Sequence, residues 1–220
     1  MLRRLIYDQL IHITDWMPTL ISAAGGSLQG ILLDGVNQWE ALQGSQPSRR
    51  REALLQYDEV RHLYAVRRDN WKIANGSNFG GEADGYYGHS GTDFAQPPYN
   101  ITAVTHSLTG EALASVFSTS IPDEEEMLQL RAKSTLNCTV QADATPCDPM
   151  ISSKPCLFDL ETDPCERNNL ADSYPEVLLE MLDLVNKYEA TLVPQINKPA
   201  DVEGSDPRKF NNTWSPWIDT

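Results

Sequence analysis

At 220 residues, 40% of them apolar, the chain has material for one good-sized domain or two small ones. Its 17 basic and 31 acidic residues leave a net charge of -14, which argues against nucleic acid or an anionic membrane surface as the main partner. Any anionic ligand would need a local basic pocket, and no run of about 18 apolar residues is present to predict a membrane span.

Arg3 and Arg4 give a basic start, but the apolar run that follows, Leu5-Ile6-Tyr7, is broken by Asp8 and Gln9, so no secretory signal is expected in this chain. In IHITDWMPTL, Asp15 is placed to cap a helix from about Trp16 to Ala24, with Pro18 at N3, where its missing N–H costs no helical bond. Trp16, Met17, Leu20, Ile21 and Ala24 recur at helical spacing, and Gly25-Gly26 ends the helix. Asp34-Gly35 is turn chemistry, with a short helix over Val36 to Leu42 after it.

RHLYAVRRDNWKIA, Arg61 to Ala74, predicts two short strands about a turn near Asp69-Asn70, where a small antiparallel sheet begins. Residues 75–120 are rich in Gly, Ser, Thr and Asn and contain Pro97-Pro98, which predicts a long irregular excursion. A short acidic helix is expected over Asp123 to Lys133, and a strand over Leu157 to Leu160 that the turn Glu161 to Pro164 ends. The strongest helix follows: Ser173 and Glu176 have the spacing of a capping box, and Val177, Leu178, Met181, Leu182, Val185 and Tyr188 form one apolar face. The tail, with Trp214 and Trp217 among prolines and glycines, is expected to be extended and docked by its aromatics.

Four sequons, at Asn75, Asn100, Asn137 and Asn211, are acceptors for N-glycosylation where this composition would give roughly one or two by chance. The cysteines Cys138, Cys147, Cys156 and Cys165 lie nine apart, which fits neither zinc nor redox spacing and predicts two local disulfides. Three pairings are possible; the one that joins Cys138 to Cys147 and Cys156 to Cys165 closes two short loops and is preferred here. Glycans and disulfides without a signal peptide point to a missing amino terminus.

The clustered His12 and Asp15 suggest a metal pair or an oriented base, but no nucleophile or further ligand accompanies them, so capping and packing is the expected role. His62, His89 and His106 are scattered singly. Arg49-Arg50-Arg51 is the densest basic run and the candidate anion site, although such runs are more often solvated loops. The tail tryptophans could stack on sugar rings.

The stretches HITDWMPTL, LDGVNQWEAL, RRDNWKIANG, LFDLETDPCERNNLAD and DPRKFNNTWSPW resemble, in that order, the carboxy-terminal part of arylsulfatase B-type sulfatases. The resemblance covers nearly the whole chain and is weakest over residues 77–150. It implies an α+β chain: residues 1–56 as the end of a large α/β sulfatase domain, then residues 57–220 as a small antiparallel sheet with a packed C-terminal helix and the irregular excursion at 75–120. It also implies sulfuric ester hydrolysis by the complete enzyme, with sulfated glycans as substrate, in a lysosome or outside the cell. Formylglycine and a calcium ion would serve that reaction, and their residues in the family precede the HITDW motif, so no catalytic or metal residue is expected in this chain.

Three lookalikes bear on that expectation. Ser45-Gln46-Pro47-Ser48-Arg49 has the serine form of the formylglycine signature but continues as Ala53-Leu54-Leu55 in place of L-T-G. Cys147-Asp148-Pro149 begins C-x-P and continues as Met150-Ile151. Asp69-Asn70 resembles the calcium-binding pair but precedes Trp71-Lys72 in place of glycine. The isolated chain is therefore expected to be inactive. The alternative is a non-catalytic secreted glycoprotein whose sheet, tail tryptophans and Arg49 to Arg51 form a sugar-binding module; a cytosolic interaction protein with free thiols is a third possibility.

Overall fold

A computed structural model describes residues 7–77, 80, 82, 99–117, 121–136, 138, 144–148, 154–196, 198–199 and 201–216. The chain is mixed α+β, as expected. It divides into two compact units, residues 1–187 and residues 188–220.

Within the first unit, a single 3-10 turn, Ile13–Asp15, leads into helix α1 (Trp16–Ala23), and the short helix α2 (Trp39–Leu42) follows. Four antiparallel strands then form one sheet in the order β1 (Glu52–Asp58), β2 (Leu63–Arg68), β3 (Trp71–Asn75) and β4 (Cys156–Asp159). The sheet's first strand lies ahead of the two that the sequence pattern predicts and straddles position 56. Its pairing with β2 slips between Leu54 and Gln56, so that Leu55 is a bulge, and this breaks the alternation by which a strand is recognised. Asp69 takes a φ of 49° to turn β2 into β3, a conformation that Asp tolerates better than most residues.

Register decides what the sheet buries. Leu54 faces Val66, Val66 faces Ile73 and Ile73 faces Leu157, so one row of side chains crosses all four strands. Val66, Ile73 and Leu157 have no exposed surface. Burying each such side chain stabilises the fold by about 2 kcal/mol. Two residues along β3, the same face carries Asn75, which the period of two forces inward.

The outer edge of β4 is not left open. Leu157 N–H donates to Asn169 Oδ1 at 3.0 Å, and Leu170 N–H donates to the Leu157 carbonyl at 2.8 Å, so the segment after the strand covers its edge. Helix α6 (Pro175–Glu189) then buries Met181, Leu184 and Val185, and Tyr174 just before it lies against Trp71 with ring centroids 5.2 Å apart. Because the helix starts at Pro175, position 174 is its N-cap, and Ser173 and Glu176 stand one residue ahead of the positions that the capping box expected from their spacing would need.

The cysteine pairing corrects the short-loop expectation. All four cysteines are bridged, but Cys138 joins Cys165 and Cys147 joins Cys156, one bridge nested inside the other. Asn169 gives the reason. Its N–H donates to the Thr145 carbonyl and its Oδ1 accepts from Leu157, so residue 145 is held beside the start of β4 and brings Cys147 against Cys156.

The excursion expected at 75–120 is helical over its second part. Helices α3 (Ile101–Thr105) and α4 (Leu108–Phe117) occupy it, and α5 (Glu124–Lys133) is the acidic helix foreseen next. Two polar residues of that stretch are caps: Asn100 Oδ1 accepts from Ala103 N–H and Ser107 Oγ from Gly110 N–H; Asp123 Oδ1 accepts from Glu126 N–H in the same way at the start of α5. Residues 83–98, with Pro97-Pro98 and His89, lie outside the described residues.

Beyond the end of α6, the described residues of the second unit include the 3-10 turn Pro207–Phe210, capped by Asp206, whose carboxylate also holds the Arg208 guanidinium at 2.6 Å. Trp214 is 79% exposed, and Trp217 lies outside the described residues.

Two measurements check this architecture. A non-reducing digest analysed by mass spectrometry is expected to yield peptides linking Cys138 with Cys165 and Cys147 with Cys156, and the short-loop pairs would contradict it. Ile73→Ala, at the centre of the row, is expected to cost about 3 kcal/mol in urea unfolding, while Leu55→Ala at the half-exposed bulge costs well under about 1 kcal/mol.

Candidate functional site

The most constrained polar cluster is built on Asp15. Its backbone belongs to the turn before α1, where His12 and Asp15 make a reciprocal capping box: His12 Nδ1 accepts from Thr14 N–H at 3.4 Å and Asp15 Oδ2 accepts from His12 N–H at 3.0 Å. The helix cap expected of Asp15 is therefore taken by His12, one turn earlier. Asp15 turns inward instead and has no exposed surface.

Four further donors reach that carboxylate. Arg50 Nε and Nη2 donate at 2.7 and 2.5 Å, Val36 N–H at 2.7 Å and Gln38 Nε2 at 3.4 Å. Burial alone would push the carboxyl up, but the Arg50 hydrogen bonds, the Val36 and His12 N–H groups and the Arg50 charge outweigh it and hold Asp15 at about 2. The close approach of Val36 depends on Gly35, where a Cβ would come within 2.0 Å of the Thr14 carbonyl oxygen.

Gln38 and Ser48 extend the cluster, and nothing in the hydrophobic periodicity marks either as buried. Gln38 N–H donates to Thr19 Oγ1 at 2.9 Å, while Ser48 Oγ lies 3.0 Å from the Leu10 carbonyl and 3.1 Å from Gln38 Oε1. Ser48 N–H also donates to Gln9 Oε1. The polar atoms named here hold one another and nearby backbone groups, which is a structural assignment and not a reactive one.

The same holds for His12 as a base. Its Nε2 donates to the Leu54 carbonyl at 3.0 Å, which leaves Nδ1 as the acceptor for Thr14. Both ring nitrogens are committed. His62 takes a φ of 51° at the β1–β2 turn and His106 ends α3, so the structure does not bring the described histidines together.

Arg49, Arg50 and Arg51 point to three different carboxylates: Glu40 at 4.0 Å, Asp15 at 2.5 Å and Asp69 at 3.5 Å. A shallow cleft of about 260 Å³ is lined by Ser48, Arg51, Arg67 and Asn70, with Asp8 and Asp69 offsetting the arginines. The run does not form one clamp.

The groups that sulfate ester chemistry would need do not fit the residues present. All four cysteines are held in disulfides, so none is free to become formylglycine. Ser45 Oγ donates to the Glu40 carbonyl at 2.8 Å at the end of α2, and Asp69-Asn70 forms the β2–β3 turn, where Asn70 Nδ2 donates to Glu161. Among the described residues no group of three or more His, Cys, Asp or Glu side chains could hold a metal ion, and no helix is long and apolar enough to cross a membrane.

The sequons differ sharply in setting. Asn75 is buried in β3, Asn100 and Asn211 are exposed, and Asn137 lies outside the described residues.

Because the folded pKa of Asp15 is lowered from 3.8 to about 2, its contribution to stability is present above pH 4 and lost as pH falls towards 2. The loss is expected to be about 2 kcal/mol. Asp15→Asn should abolish that pH dependence and cost about 3 kcal/mol at neutral pH, since Arg50 stays buried without its partner. Urea midpoints of both proteins between pH 2 and pH 7 measure this, and parallel curves would refute it.

No protein-family profile matches the chain. It is 29% identical over 233 residues to Arylsulfatase J of Mus musculus, an alignment that covers 96% of this chain and 31% of that protein. A solved structure from work on metabolism of multiple glycosaminoglycans by Bacteroides thetaiotaomicron overlaps 80% of the chain and 24% of its own, at 16% identity and a TM-score of 0.39. Along nearly its whole length the chain is similar to an arylsulfatase, and it spans about a third of the length of that relative.

Proposed function

We propose that this chain is the carboxy-terminal part of an arylsulfatase-type enzyme whose complete form hydrolyses sulfate esters, with sulfated glycans as the substrate class, in a lysosome or outside the cell. The observation that carries this reading is the uneven coverage: 96% of the chain aligns with 31% of an arylsulfatase. Residues 1–56 belong on this reading to the large α/β domain and residues 57–220 to the small one, with β1 straddling the division. Calcium and formylglycine would act in the complete enzyme through residues that this chain does not contribute.

Exposed apolar surface supports a missing partner of that kind. Helix α1 buries Pro18 and Thr19, whereas Ile13 and Leu20 are 74% and 59% exposed and Trp16 and Met17 are about half exposed. Contiguous apolar surface of this sort marks an interaction face. The sugar-binding alternative lacks comparable support, since each of the three arginines already faces a carboxylate.

The purified chain is expected to show no turnover of a chromogenic aryl sulfate, with or without added calcium, and to bind an environment-sensitive hydrophobic dye through the α1 face. Turnover that disappears in Ser45→Ala would overturn the inactivity. Ile13→Ser with Leu20→Ser should reduce dye binding several-fold without shifting the disulfide pattern; unchanged dye binding would remove the α1 face from the argument.

A further inference from the structure

The sequon at Asn75 is enclosed by the fold in a way that the sequons at Asn100 and Asn211 are not. Asn75 is 8% exposed and sits on the inward face of β3, paired across the ladder with Tyr64. Its Nδ2, the atom that would receive a glycan, donates to the His62 carbonyl at 2.9 Å. That carbonyl belongs to a residue with a φ of 51°, so the Asn75 amide closes the end of the sheet where the β1–β2 turn returns.

The next sequon residue tightens the enclosure. Gly76 has a φ of 82°, and a Cβ there would come within 2.3 Å of Leu63 Cδ2, so backbone and side chain of β2 lie directly against this corner. A substituent on Asn75 Nδ2 would break the bond to His62 and prise β3 from the β1–β2 turn.

Asn100 and Asn211 present the opposite geometry. Asn100 is exposed and caps α3 through Oδ1, which accepts from Ala103 N–H at 3.0 Å, so the cap uses the oxygen and leaves Nδ2 directed elsewhere. Asn211 is exposed at the end of the turn Pro207–Phe210, with a φ of 56°.

We propose that Asn75 is a silent sequon, kept unglycosylated by hairpin closure, and that Asn100 and Asn211 carry glycans when the chain enters a secretory pathway. In the transfer, the amide nitrogen attacks the anomeric carbon of a lipid-pyrophosphate-linked oligosaccharide. The new C–N bond forms as the C–O bond to pyrophosphate breaks; the lipid pyrophosphate leaves and a base on the transferase takes the amide proton. Timing favours the fold at Asn75. Strands β1 to β3 are consecutive, so a three-stranded sheet can form without any later segment. Hairpins close in about 1–10 μs, whereas synthesis adds about 5–20 residues per second.

The proposal rests on the secretory reading only for its biological setting, because the test supplies a leader. The full 220-residue chain, fused behind a cleavable signal peptide, is secreted from cultured mammalian cells. Its sites are mapped by enzymatic deglycosylation in heavy-oxygen water followed by peptide mass spectrometry. Unlabelled Asn75 beside labelled Asn100 and Asn211 is the expected result. On gels, Thr102→Ala and Thr213→Ala should each remove one glycan's mass, and Ser77→Ala should remove none. Label at Asn75 above that of a control incubated without the deglycosidase, which measures spontaneous deamidation at Asn75-Gly76, a downward shift in Ser77→Ala, or bare Asn100 and Asn211 would each overturn the proposal. Natural localisation could prove different without affecting this pattern.

Discussion

A buried carboxylate, that of Asp15, organises the described residues ahead of the sheet. Asp15 gathers donors from His12, Val36, Gln38 and Arg50, so the turn before α1, the segment 36–38 and Arg50 meet at one side chain. A charge in that position survives burial only because Arg50 is held against it and the backbone N–H groups complete its shell. Much of the local sequence then has a physical reason. Gly35 must lack a side chain for Val36 to come close, Thr19 holds Gln38, and Arg50 also donates to the Asp34 and Glu52 carbonyls, which joins the cluster to the start of β1.

The sheet is organised by a different constraint, that of register. Once Asp69-Asn70 turns β2 into β3, Val66 and Ile73 are fixed opposite one another, and β4 arrives from more than 80 residues later to place Leu157 in the same row. Such a late strand needs its own guidance. Here the disulfides and the two-sided hydrogen bonding of Asn169 supply it, and the Lys72–Glu166 ion pair at 2.5 Å adds a tie between β3 and the segment after β4.

Some of this was legible in the residues and some was not. Turn chemistry at Asp69-Asn70, the acidic helix capped by Asp123 and the apolar strand at Leu157 declare themselves locally, and all three are present. Strand β1 was missed because its bulge at Leu55 destroys alternation, and α3 and α4 because Asn100 and Ser107 look like loop residues until seen as caps. Cysteine spacing could not decide the pairing, which depends on Asn169, a residue with no sulfur chemistry at all. In α1 the helical period found the apolar face, but periodicity cannot say which face a neighbour covers, and here it is Pro18 and Thr19 that are buried. The buried Gln38 and Ser48 carry no pattern of their own; only the identity of their partners explains them.

Nesting gives the disulfides a property that two side-by-side loops would lack. The outer bridge spans 27 residues and encloses the inner one, so the whole stretch from Cys138 to Cys165, β4 included, is a closed ring of covalent bonds. A peptide bond cut anywhere inside that ring opens the chain without dividing it. The strand that completes the sheet therefore stays covalently tied to both ends of the chain after a single nick, directly on at least one side and through the outer bridge on the other, and the fold can lose the continuity of its backbone there before it loses the connection between its two ends.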